Sequence, residues 1–109
     1  MGLFEKTYDW KSLLTEQEVN AVIGFMEEMV DRDKFAIGFQ PAEVKKKMME
    51  QKTALQILKS KKKISASDID LICSCLRKEI VYRQQLGQGL SELRELNNLG
   101  YTFSTMKSK

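Results

Sequence analysis

The chain has 109 residues, 42% hydrophobic and 30% charged, with one proline, six glycines and no histidine. That length fits one domain, and the balance is that of a folded protein rather than a disordered tail. No apolar run approaches ~18 residues, which excludes a membrane-spanning helix, and the absence of histidine removes the commonest general base.

The opening stretch, MGLFEKTYDW, has neither the basic start nor the apolar run of a signal peptide. Gly2 invites myristoylation, but Lys6 stands where that motif takes Ser or Thr. Cys73 and Cys75 sit two apart in a helical pattern, roughly 200° around its axis, so they cannot readily bridge. That suits a reducing compartment, and a cytoplasmic location is expected.

The net charge of +3 conceals a segregation along the chain. Residues 1–40 carry four basic and eight acidic side chains, net −4. Residues 41–63 carry eight lysines against Glu43 and Glu50, net +6, and the remainder is close to neutral. The chain is dipolar, and that bears on partners more than its overall charge does.

Residues 1–14 form an aromatic lead-in (Phe4, Tyr8, Trp10), with a helical turn near Asp9–Leu13. Its rings are expected to lie over the bundle, because so much apolar surface rarely stays free. The first helix spans 15–31. Thr15 and Glu18 make a capping box, Leu14 and Val19 a hydrophobic staple. Val19, Val22, Ile23, Met26, Met29 and Val30 follow as one apolar stripe. Phe35, Ile37 and Phe39 then alternate, and with no strand to pair they predict an extended apolar connector.

The second helix spans 41–59. Pro41 suits its first position. Its core line is Val44, Met48, Leu55 and Leu58, with Gln51 a polar gap and Met49 and Ile57 off the line. The third helix opens at Ser65 or Ser67, with Asp68 and Asp70 at its positive end. Its seam is Ile69, Ile72, Cys73, Leu76 and Ile80.

Gly87 and Gly89 decide how that helix ends. Two glycines cost about 2 kcal/mol relative to alanine in a helix, which argues for a split. Phase argues against one. Leu86 lies ten residues after Leu76, and Leu90 ten after Ile80, each within about a quarter turn of three full turns. The expectation is a helix over 65–99, continuous or kinked at the glycines, with a split near 87–89 as the alternative, ended by Gly100 and followed by a flexible tail over 100–109. The fold class is therefore an all-α bundle of three to four helices in one domain, 1–109.

Chemistry-bearing motifs are few. Cys73-x-Cys75 is not a zinc spacing, and without histidine no metal site is expected. Cys73 reads as a core residue and Cys75 as a semi-exposed one. The acidic pairs Asp68/Asp70 and Glu27/Glu28 read as helix-end and surface charges. Gly87-Gln88-Gly89 lacks the strand before it that a phosphate loop needs. Neither an enzyme nor a cofactor or small-molecule site is expected.

Two surfaces remain. A helix of some nine turns beside two shorter ones would overhang them, leaving Leu86, Leu90, Leu93 and Leu96 for another protein or a second copy. The alternative is a closed four-helix bundle with nothing exposed. Lys45, Lys52 and Lys59 recur every seven residues, about 10 Å apart, and Lys61, Lys62 and Lys63 extend the line. Such a stripe could follow a nucleic-acid backbone. Its other reading is a solvated flank facing the acidic first helix. The expectation is a small cytoplasmic adaptor, regulator or inhibitor that binds protein, self-associates, and touches no membrane; a nucleic-acid accessory is the alternative.

Overall fold

Helix starts follow from side chains that satisfy the free N–H groups of a first turn. The computed structural model describes residues 6–34 and 42–108. At its first helix, α1 (Glu16–Lys34), the Thr15 hydroxyl accepts from the Glu18 N–H at 3.1 Å. The Thr15 N–H donates back to the Glu18 carboxylate at 2.9 Å. Ser65 and Asp68 repeat the device before α3 (Ala66–Gln85), at 3.2 and 3.1 Å. The remaining helices are α2 (Ala42–Ser60) and α4 (Leu90–Met106), so the fold is all-α.

The lead-in is stitched to the linker between α2 and α3. A two-residue ladder pairs Thr7 with Ser65 and Tyr8 with Ile64, antiparallel. A tight turn follows, its N–H groups at Ser12 and Leu13 reaching the Asp9 and Trp10 carbonyls. It delivers Trp10 into the core, where the indole N–H donates to the Lys61 carbonyl at 2.9 Å. The Trp10 ring packs against Phe103 at 6.1 Å between centroids.

The helices pack in series, with α2 between α1 and α3, and α3 between α2 and α4. Lys61–Asp68 at 3.4 Å and Glu50–Lys78 at 3.6 Å mark α2 and α3 as antiparallel neighbours. Val22, Met26 and Met29 of α1 are fully buried, as their spacing predicts. Each such side chain contributes about 1.5–3 kcal/mol.

The core line of α2 differs from expectation. Gln51, Ala54, Ile57 and Leu58 are buried, Val44 is exposed, and Ile57 is not off the core. A helix covered on two sides needs a wider apolar face than one stripe, and 54, 57 and 58 supply it. Met49 is exposed, as its position predicts. The expected apolar connector and Pro41 lie outside the described residues, as does Phe4.

Of the two readings at the glycines, a long helix or one split near 87–89, the chain takes the split. The chain breaks at Gly87, whose φ is +87°, a conformation that costs residues bearing a Cβ about 1–2 kcal/mol. The Gln88 N–H reaches the Arg83 carbonyl at 3.1 Å and the Gly87 N–H reaches that of Gln84 at 3.0 Å. That pair of bonds is a Schellman motif with glycine in its left-handed position. Gly89 then caps α4 through its carbonyl, which accepts from Leu93 at 3.2 Å.

The expected flexible tail over 100–109 is helical as far as Met106, and Gly100 stops nothing. Leu93, Leu96, Leu99, Phe103 and Met106 recur at helical spacing and are all buried. An interior glycine costs about 1 kcal/mol. Burying Phe103 and Met106 beyond it returns more than that.

The two glycines therefore respond oppositely to alanine. Gly87→Ala is expected to destabilise the fold by about 1–2 kcal/mol through its positive φ. Gly100→Ala is expected to stabilise it by about 0.5–1 kcal/mol, since an added Cβ there meets nothing within 4 Å. Urea midpoints that move apart at constant m-value check the pair.

Candidate functional site

The turn between α3 and α4 separates the four predicted interface leucines. Leu93 and Leu96 are 4% and 0% exposed and belong to the core. Folding α4 back along α3 buries the face that a continuous helix would have left overhanging. Leu86, the C-terminal cap residue of α3, and Leu90, the first residue of α4, stay in solvent.

The predicted lysine stripe is solvated but not uniform. Lys59 pairs with Glu27 of α1 at 3.0 Å, and Lys61 with Asp68 at 3.4 Å. Lys45, Lys52, Lys62 and Lys63 are exposed, with no ion pair among the described residues. The facing acidic helix meets this stripe at Lys59, through Glu27.

A cluster not anticipated from the sequence ties α1 to α3. Glu79 is buried, and both its oxygens accept from Arg32 of α1, at 2.7 and 2.8 Å. Arg83, one turn along α3, donates to the same carboxylate through Nε at 2.7 Å and reaches Glu28 at 3.3 Å. Burial works to raise the Glu79 pKa, but the hydrogen bonds from the two arginines outweigh it and hold the carboxyl below its ordinary value. Its hydrogen bond to Glu79 in turn holds Arg32 above its ordinary value. A carboxylate holding three such bonds is a clamp; its lone pairs are not free to accept a proton from a substrate.

Beside this clamp an open groove runs between α2 and α3, lined by Lys47, Arg77, Lys78, Val81, Tyr82 and Gln85. Its floor is carbon: the Val81 side chain, the Tyr82 ring and the stems of the cations. Arg32 and Lys47 both lie over the Tyr82 ring, at 4.4 and 5.4 Å. The core seam of α3 passes over Val81 and Tyr82, so only two apolar residues off the stripe point to this groove in the sequence.

Both cysteines are buried, Cys75 included, where semi-exposure is the sequence expectation. Cys75 is turned toward α2, which covers a flank of α3 that one seam does not describe. Burial, reinforced by Glu50, pushes its thiol up to about 11, and burial raises Cys73 as well. Neither is a thiolate at neutral pH. Among the described residues no group of three or more Cys, Asp or Glu side chains is placed to hold a metal ion, and no helix is long and apolar enough to cross a membrane. No protein-family model, curated protein or solved structure matches the chain.

Proposed function

We propose that this chain is a non-enzymatic protein-binding module whose contact surface lies where α3 runs into the α3–α4 turn. One observation carries the reading: Val81, Leu86 and Leu90 stand 48%, 62% and 83% exposed within ten residues of sequence. Single exposed aliphatic residues are ordinary. Three along the end of one helix and the turn after it are apolar surface that a partner can cover. The Schellman turn also fixes Leu86 and Leu90 on a rigid corner, so little ordering cost falls on binding.

Self-association has less to work with than a long free helix would offer, since Leu93 and Leu96 are spent on the core. A second copy has to meet Leu86 and Leu90. The test is Leu86→Glu with Leu90→Glu, both exposed enough to leave helicity unchanged. Affinity purification from the native host, nuclease-treated, is expected to recover a protein with the wild type and lose it with the variant. Light scattering on the same pair reports whether the lost partner is another copy. If the variant retains every wild-type partner, the reading is wrong.

Nucleic-acid binding is the second reading, supported by the uncompensated charges of Lys45, Lys52, Lys62 and Lys63. It calls for affinity that falls steeply with salt and disappears when these four become glutamate. No gel shift at low salt removes it.

A further inference from the structure

We infer that the α2–α3 groove receives an acidic, amphipathic helical segment of a partner protein, an inference that rests on the protein-binding reading above. The groove has the two parts such a ligand needs. Its floor, Val81 and the Tyr82 ring, offers carbon to an apolar stripe, and Val81 is half open to solvent. Its rim sets Lys47 of α2 against Arg77 and Lys78 of α3.

The rim's charge is only partly answered within the chain. Glu50 spans to Lys78 at 3.6 Å. Arg77 has no ion pair among the described residues. Lys47 and Arg32 share the Tyr82 ring as a common electron-rich neighbour. Arg32 is satisfied by Glu79 and Asp33, which leaves Lys47 with the ring alone among these. Glu43, exposed one turn before Lys47, is the other carboxylate on that side of α2. Lys47 and Arg77, on opposite walls, therefore make no ion pair among the described residues and are open to a partner's carboxylates.

The shape agrees with the charge. Two antiparallel helices leave a straight furrow, and a helix lying along it would set residues at i, i+3/i+4 and i+7 on the floor. Acidic residues flanking that stripe would meet Lys47 on one side and Arg77 on the other. Val44, one turn before Lys47, and Leu86, one turn beyond Tyr82, are exposed on the same two helices.

Nucleic acid fits this groove less well. A carbon floor contributes nothing to a phosphate backbone, whose contacts are charged and hydrogen-bonded. The unpaired lysines Lys45 and Lys52 lie on the outer side of α2, not on the rim.

The test is fluorescence anisotropy on the full chain with three labelled probes. One is a helical peptide of about five turns with leucine at i, i+3, i+4 and i+7 and glutamate flanking it. The second has glutamine for each glutamate, and the third is a DNA duplex of similar length. The expected result is binding of the acidic peptide, weakened at least tenfold by the glutamine exchange, by Val81→Asp and by Arg77→Glu, with circular dichroism unchanged. Equal affinity for the glutamine peptide, or indifference to Val81→Asp, overturns the inference. So does tighter binding of DNA, or no binding of the acidic peptide at millimolar concentration. The Leu86/Leu90 purification judges the broader reading independently, so the two can fail separately.

Discussion

Glu79→Ala is expected to destabilise the fold by about 3–5 kcal/mol, because it leaves buried positive charge without its partner. Small domains have about 5–15 kcal/mol in all, so the variant sits near the edge of folding. The effect rests mainly on Arg83, whose side chain is 10% exposed, while the Arg32 side chain at 30% can turn part of its charge to water. Replacing all three together, Arg32→Met, Glu79→Leu and Arg83→Met, is expected to recover most of the loss. A buried ion cluster exchanged for packed carbon is often near neutral.

The same carboxylate gives a pH signature. Its folded pKa lies below the ordinary carboxyl value, so its contribution is complete above about pH 4.3, the unfolded reference. It is lost as the pH falls through the folded value. The stability gap between wild type and Glu79→Gln is therefore expected to be widest near neutrality and to close in acid. Urea unfolding at neutral pH and below pH ~4 reads this directly. A gap that is constant with pH would mean that the carboxyl is not ionised in this cluster.

Trp10→Ala is the second large effect, at about 3–5 kcal/mol. The indole is wholly buried, stacked near Phe103 of α4 and hydrogen-bonded to the carbonyl of Lys61 in the linker before α3. One side chain thus joins the lead-in, the linker and α4. Trp10→Phe separates the contributions: it keeps most of the ring and strands the Lys61 carbonyl, for a loss of about 1–3 kcal/mol. Each kcal/mol shifts Tm by about 4–8 °C in a domain of this size, so circular dichroism melts resolve wild type, Phe and Ala in that order.

The elements readable from the sequence were those governed by local chemistry. Thr15 and Glu18 form their capping box, Val22, Met26 and Met29 of the α1 stripe are buried with Val19, Ile23 and Val30 partly so, and Tyr8 and Trp10 do cover the bundle. At Gly87 capping outweighs phase. Ten residues from Leu76 to Leu86 fall about 80° short of three turns, which takes Leu86 off the buried face, and Leu86 and Leu90 are in solvent. The better signal was the run Leu93, Leu96, Leu99, Phe103, Met106, which crosses Gly100 unbroken.

The Glu79 clamp was half visible. Glu79 and Arg83 extend the helical spacing of Ile72 and Leu76, so a charged pair sat on an apolar seam. Its third member, Arg32, is 47 positions away in sequence from Glu79, and no local pattern links them. The groove of Lys47, Arg77, Val81 and Tyr82 was not legible at all, since it exists only once α2 and α3 lie side by side. The same folding removed Leu93 and Leu96 from the candidate interface and left Leu86 and Leu90.

That division of the leucines is the claim on which the interaction surface depends, and urea denaturation of Leu96→Ala beside Leu90→Ala tests it most directly. Leu96→Ala is expected to cost about 2–5 kcal/mol, as a core truncation does, while Leu90→Ala stays within about 0.5 kcal/mol of wild type. The contradicting result is the reverse: a Leu96→Ala midpoint like wild type, which would place α4 off the body of the bundle with its leucines free.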